Sequence, residues 1–264
     1  MSAFDNTIPI NVDRNIKSSD YADHSGDRLL MHSLFYTVQG EGPYAGWPAL
    51  FIRLGGCNFG AKNVACHGCD TAFAVSQSGY VPTKDLLAIA LKTFASGSKA
   101  TPLVVLTGGE PLLQNVIPLI TLLESSGVRV QVETNGTQRS MLRRVVQETD
   151  ATVVISPKPL CKSGYATRPP VIDDAEDLHF KLLVCADPAS HHHTVPDWAK
   201  EFNSVYVSPV TVYLRAPCGE AVSAWDSTLV DQPATAANYA HAAKVALANG
   251  FKVSVQTHTF LGVL

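Results

Sequence analysis

The strongest constraint on this chain is an alternation. From about residue 48, short β-branched apolar runs take turns with helix-patterned stretches. ALFIRL (49–54), PLVVL (102–106), VRVQV (128–132), ATVVI (151–155), HFKLLV (179–184), SVYVS (204–208) and FKVSVQ (251–256) read as strands. Between them KDLLAIALKTFA (84–95), LLQNVIPLITLLES (112–125), RSMLRRVVQET (139–149) and ATAANYAHAAKVALANG (234–250) carry helical spacing. Thr83 is read as the N-cap of the first, with Leu87, Ala90, Leu91 and Phe94 on one face. Pro118 predicts a kink or a late start in the second, and Gly250 ends the fourth. Continuous apolar strands suit a parallel sheet covered on both faces, wound right-handedly through the helices. The expected fold is α/β: a partial, open (β/α) barrel of about six to seven mostly parallel strands.

Residues 1–30 are polar and read as an N-terminal extension. Residues 31–264 read as a single domain with irregular insertions near 157–178 and 211–233. Apolar residues make up 46% of the chain, enough for a sizeable core. A formal net charge of −3 offers no basic face, which argues against phosphate-driven nucleic-acid binding. No apolar run reaches membrane-spanning length, and the N-terminus lacks a secretory apolar core. The expectation is a cytoplasmic protein, whose cysteines serve metal binding or catalysis more readily than disulfides.

The polar signals fall just past the strands. GGC follows 49–54, TGGEP follows 102–106, ETNGT follows 128–132, SPKP follows 151–155 and THTFLG follows 251–256. In parallel α/β folds that edge carries the active site. Three of the six cysteines also lie there, as Cys57-x8-Cys66-x2-Cys69. Spacing alone leaves two metals open. Zinc would take a fourth ligand from His67 or His258. An iron–sulfur cluster on three thiolates would keep one iron open, which suits a small chelating cofactor. Cys161, Cys185 and Cys218 are scattered and read as small buried or incidental thiols. His191-His192-His193 reads as a solvated loop.

Three cysteines after a first barrel strand, with TGGEP after the next, resemble a radical S-adenosylmethionine enzyme, although the first gap there is usually x3. A closer resemblance accommodates the longer gap. FYTVQGEGPYAGWPALFIRLGGCNF (35–59), CDT (69–71), TGGEPLLQ (107–114), ETNGT (133–137), SPK (156–158) and QTHTFLG (256–262) resemble the 7-carboxy-7-deazaguanine synthase family. The likeness covers 33–158 and returns at 251–264; it is poor over 1–30 and roughly 160–250.

The resemblance implies a lyase that converts 6-carboxy-5,6,7,8-tetrahydropterin to 7-carboxy-7-deazaguanine with loss of ammonia. It implies a [4Fe–4S] cluster on Cys57, Cys66 and Cys69, with S-adenosylmethionine on Gly108, Gly109, Glu110, Asn135, Ser156 and Lys158. Gln39, Glu41, Arg53, Thr107 and His258 would bind the pterin, whose guanidine-like edge suits a carboxylate and whose carboxylate suits the Arg53 fork. Thr71 would contact Mg²⁺ with Asp70 behind it, although an N-cap is the ordinary reading of Asp-Thr there. An electron donor such as flavodoxin or ferredoxin and a homodimer are also implied. Two rival readings stand beside this one: a radical activase acting on a partner protein, and a zinc-stabilised binding module.

Overall fold

The computed structural model describes residues 8–9, 25–59, 74–95, 100–159, 165, 178–214 and 226–263. Among these residues nine strands form one sheet: β1 (Arg28–Val38), β2 (Pro48–Leu54), β3 (Gly79–Pro82), β4 (Leu103–Gly108), β5 (Arg129–Thr134), β6 (Thr152–Ile155), β7 (His179–Val184), β8 (Val205–Pro209) and β9 (Lys252–Val253). Their order is β3-β1-β2-β4-β5-β6-β7-β8-β9, so the sheet does not close on itself. From β2 through β9 every pairing is parallel, whereas β1 runs antiparallel to β2 and β3. The helices are α1 (Thr83–Phe94), α2 (Ile117–Ser125), α3 (Arg139–Glu148), α4 (Gln232–Asn249) and α5 (Thr257–Leu261). None described is long and apolar enough to cross a membrane.

The open α/β barrel matches expectation, but its sheet has nine strands where about six to seven were expected. The additions are β1 and β3. β1 hides in LLMHSLFYTV because its register shifts between Met31 and Ser33, so Met31 and Leu34 both reach the core although they lie three apart. A bulge of this kind breaks the period-two pattern by which a strand is read. β1 also begins at Arg28, inside the segment read as an extension, and Ile8 N–H donates to Leu34 C=O at 2.8 Å. β9 is shorter than the expected 251–256.

Helix α2 begins late, at Ile117, with Pro118 in its first turn where the missing N–H costs nothing. The expected Thr83 cap is corrected: Pro82 occupies that position, and the buried Thr83 hydroxyl donates to Gly26 C=O at 2.6 Å. On α1 the expected face holds for Ala90, which is buried, and for Leu87 and Phe94, which pack against the core, but not for Leu91. Leu86 is fully buried, while Leu91 is 42% exposed. His191–His193 is not simply a solvated loop: His193 Nδ1 lies 3.1 Å from Cys185 C=O, and its ring stacks on His241 at 4.6 Å.

Alternation along the strands separates two faces. On the helix side, Leu50, Ile52, Leu54, Val104, Leu106, Val130, Val132, Val153, Ile155, Phe180, Leu182, Val205 and Val207 belong to one core cluster. Each such side chain contributes roughly 1.5–3 kcal/mol by leaving water. The inner face is apolar at the start of the strands, where Ala49, Leu103 and Val105 pack with Tyr44 and Phe51. Toward the strand C-termini the same face becomes polar, through Arg53, Thr107, Glu133, Lys181 and Ser208.

Candidate functional site

The rim of the site is built where β2 and β4 end. Gly108 has φ +148°, and a Cβ there would strike the Leu54 backbone; one at Gly109 would strike the Gly56 carbonyl and Cys57 Cβ. Glu110 N–H donates to Gly56 C=O at 2.9 Å. The two glycines therefore let the TGGEP turn lie directly on Gly56-Cys57. Gln114 clamps the same corner to β1: its Oε1 accepts from Leu30 N–H at 2.7 Å and its Nε2 donates to Leu30 C=O at 3.1 Å.

Glu110 is fully buried. Its Oε1 accepts from Thr134 Oγ1 at 2.7 Å and Leu112 N–H at 3.0 Å, and its Oε2 accepts from Asn135 N–H at 2.7 Å. Burial pushes its carboxyl above the ordinary carboxylate value, against the pull of these donors and of Lys158. An ionised carboxylate offers about four lone-pair sites, so three donors leave room for one more.

The next strand ends join this rim. Asn135 Nδ2 donates to Asn58 Oδ1 at 3.0 Å, Asn58 Nδ2 donates to Thr137 Oγ1 at 2.8 Å, and Thr137 N–H donates to Asn135 Oδ1 at 2.9 Å. The neighbour of Cys57 is thus tied to the end of β5. After β6, Ser156 N–H donates to Thr134 C=O at 2.7 Å and Lys158 Nζ to Ser156 Oγ at 2.9 Å. Gly108, Gly109, Glu110, Asn135, Ser156 and Lys158 accordingly follow one another along a single edge beginning at partly exposed Cys57. Cys66, Cys69 and Thr71, with His67 and Asp70, lie outside the described residues, as do Cys161 and Cys218. Among the described residues no group of three or more His, Cys, Asp or Glu side chains could hold a metal ion.

Below the rim lies a polar network on the inner face. Arg53 pairs in register with Thr107, and its guanidinium sits 5.2 Å over the Phe35 ring. Gln39 Nε2 and Gln131 Nε2 each donate to Glu133 Oε1 at 2.9 Å. Lys181 Nζ donates to Glu41 Oε2 at 2.8 Å and lies 4.0 Å from Glu133 Oε2. Ser208 Oγ donates to Glu41 Oε1 at 3.0 Å.

Burial alone would raise the Glu41 carboxyl. The Lys181 charge and hydrogen bond, with His258 and Ser208, more than offset it, and its pKa lies below the ordinary value. Burial and then the Glu41 charge push the Tyr239 phenol up.

The loop carrying Gln39 and Glu41 reaches from β1 to the far strands. Gly42 N–H donates to Ser254 Oγ at 3.0 Å, and Thr257 N–H to Gly40 C=O at 3.2 Å. Gly40 faces His258 so closely that a Cβ would collide with the imidazole. The structure thus brings Gln39, Glu41 and His258 together, with Arg53 and Thr107 adjacent in register on the same inner face. Sequence reasoning missed Lys181, Glu133 and Ser208. One signal was available: Lys181 is the lone charge within the apolar strand HFKLLV, alternating with Phe180 and Leu182.

No family model matches the chain. The 7-carboxy-7-deazaguanine synthase of Rhodospirillum rubrum is 33% identical over 243 residues, spanning 90% of this chain and 94% of the relative. That of Rickettsia prowazekii is 33% identical over 258 residues, spanning 96% and 94%. The crystal structure of QueE from Escherichia coli aligns with a TM-score of 0.53 at 22% identity, covering 87% of this chain and 94% of that one. At that identity the structural likeness speaks for the fold.

Proposed function

The chain belongs to the 7-carboxy-7-deazaguanine synthase family, and from that membership we propose how its residues divide the family's task. It is a radical S-adenosylmethionine lyase of deazapurine biosynthesis, converting 6-carboxy-5,6,7,8-tetrahydropterin to 7-carboxy-7-deazaguanine with loss of ammonia. When bound, the cluster and S-adenosylmethionine supply the radical that abstracts substrate hydrogen. The observation that carries the assignment of roles is the meeting of two surfaces: a rim pressed against Cys57, and a polar inner face beneath it.

The donor set fits the cofactors. Three thiolates, from Cys57, Cys66 and Cys69, hold a cluster while leaving one iron for another chelate. The rim residues Gly108, Gly109, Glu110, Asn135, Ser156 and Lys158 hold S-adenosylmethionine, with the remaining acceptor site of Glu110 available to its ammonium. Gln39 and Glu41 hold the guanidine-like edge of the pterin, and Arg53 takes its carboxylate with Thr107 and His258 nearby. The depressed pKa of Glu41 supports this assignment, because an ionised acceptor pairs best with adjacent N–H donors. Thr71 contacts Mg²⁺. A homodimer fed by flavodoxin or ferredoxin in the cytoplasm completes the reading.

Anaerobic turnover tests it. Reconstituted protein is expected to consume the carboxypterin and release ammonia. Cys66→Ala should lose iron, and Thr71→Ala should lose stimulation by Mg²⁺. Protein that cleaves S-adenosylmethionine with another substrate but leaves the carboxypterin intact would overturn the assignment.

A further inference from the structure

We propose that Lys181 is a positioning residue for the substrate: its ammonium holds Glu41 and Glu133 as a fixed pair of acceptors and pins the Gln39–Gly42 loop across the open side of the barrel. The proposal rests on the reading above that Glu41 binds the pterin edge.

Parity puts Lys181 on the inner face, since Phe180 and Leu182 occupy the helix side of the same strand and are fully buried. At 8% exposure its ammonium has left most of its water behind, a costly placement for a lysine without opposite charge close by. That charge arrives from two distant segments. Glu41 lies in the loop after β1, and β7 stands five strands further along the sheet. Glu133 comes from β5, with its Oε2 at 4.0 Å from the ammonium.

Both carboxylates are then linked through the loop itself. Gln39 donates to Glu133 at 2.9 Å, and its Oε1 accepts from Glu41 N–H at 3.1 Å. One cation lies within 4.0 Å of both carboxylates on this face. That cation is Lys181. His258 on α5 and Tyr239 on α4 also face Glu41, and Ser208 on β8 donates to it at 3.0 Å, beside the Lys181 ammonium at 2.8 Å. Without the ammonium, the loop loses its anchor on β7 and the acceptors lose their fixed separation. Substrate binding should then suffer more than the chemical step.

Holoenzyme bearing Lys181→Met, Glu41→Gln and both together separates the possibilities. Lys181→Met is expected to raise KM for the carboxypterin about ten- to a hundred-fold, with kcat falling by a smaller factor. Binding of 7-carboxy-7-deazaguanine, followed by calorimetry, should weaken in step. Lys181→Arg should recover part of the loss. In the Glu41→Gln background, Lys181→Met should add less than about threefold, because neighbours acting through one another are not additive. If Lys181→Met fails to fold, as judged by circular dichroism, Lys181→Gln carries the same test. A raised KM in Glu41→Gln with KM near wild type in Lys181→Met would overturn the role of Lys181 and leave the substrate reading standing. Wild-type KM and product affinity in Glu41→Gln would remove the substrate reading itself, and this proposal with it.

Discussion

The rim and the inner face are held by different forces. At the rim, Gly108 and Gly109 permit a backbone contact that no side chain could share, and most of the hydrogen bonds reach main-chain atoms. On the inner face, Glu41, Lys181 and Glu133 meet through charge, from segments far apart in sequence. The rim is therefore sterically determined and tolerant of pH, apart from Glu110. The inner face depends on which of its groups are ionised. A cofactor needs a fixed seat, and a substrate edge needs acceptors of the right charge; under the proposed assignment the two regions supply these separately.

The sharpest way to break the contrast is Glu41→Ala. It removes the nearer of the two carboxylates beside the buried Lys181 ammonium and leaves only Glu133 Oε2 at 4.0 Å, so the loss should approach the roughly 3–5 kcal/mol of a broken buried pair. Urea denaturation should show the loss, while iron bound per reconstituted chain stays near the wild-type level. Gly109→Ala should do the reverse in kind. The added Cβ must push Gly56 and Cys57 away, costing roughly 2–3 kcal/mol as overpacking does, and iron content should fall with it. Retained iron at full stability would show that the rim yields more easily than its packing implies.

Glu110→Gln probes the polar part of the rim. An amide keeps only one of the two accepting oxygens, so either the Asn135 donor or both the Thr134 and Leu112 donors meet an NH₂ group. The expected destabilisation is about 1–3 kcal/mol by thermal melting.

The smallest effect is in pH dependence, and there the two regions should differ in sign. Glu41 has a lowered pKa, so its stabilisation is present above the ordinary carboxylate value and is lost as pH falls through its folded value. Glu110 has a raised pKa, so its contribution is greatest while protonated and declines as pH rises from the ordinary value through the folded one. The stability advantage of wild type over Glu41→Gln should shrink on acidification. Its advantage over Glu110→Gln should grow. Parallel trends in both would contradict the separation of the two regions.

Much of this was legible before the structure. Five polar segments after five apolar runs pointed to one edge of the sheet, and Cys57, the TGGEP turn and ETNGT do lie together along it. The gaps have physical causes. β1 was hidden by its bulge, and β3, GYVP, is bounded by glycine and proline that read as a turn. On α1 the stripe of Thr83, Leu86, Leu87, Ala90 and Phe94 faces the core at helical spacing, and Leu91 lies at its edge, 42% exposed.

The order of strands and helices, the apolar face of each strand and the need for glycine at the rim are all local properties, carried by periodicity and by the absence of a Cβ. Sequence by itself determined these. The partnership of Glu41, Lys181 and Glu133 is not local: it depends on the register of β5 and β7 and on a loop that crosses the open side of the barrel. Only tertiary structure could decide it, because a charge pair is specified by distance in space and has no signature in spacing along the chain.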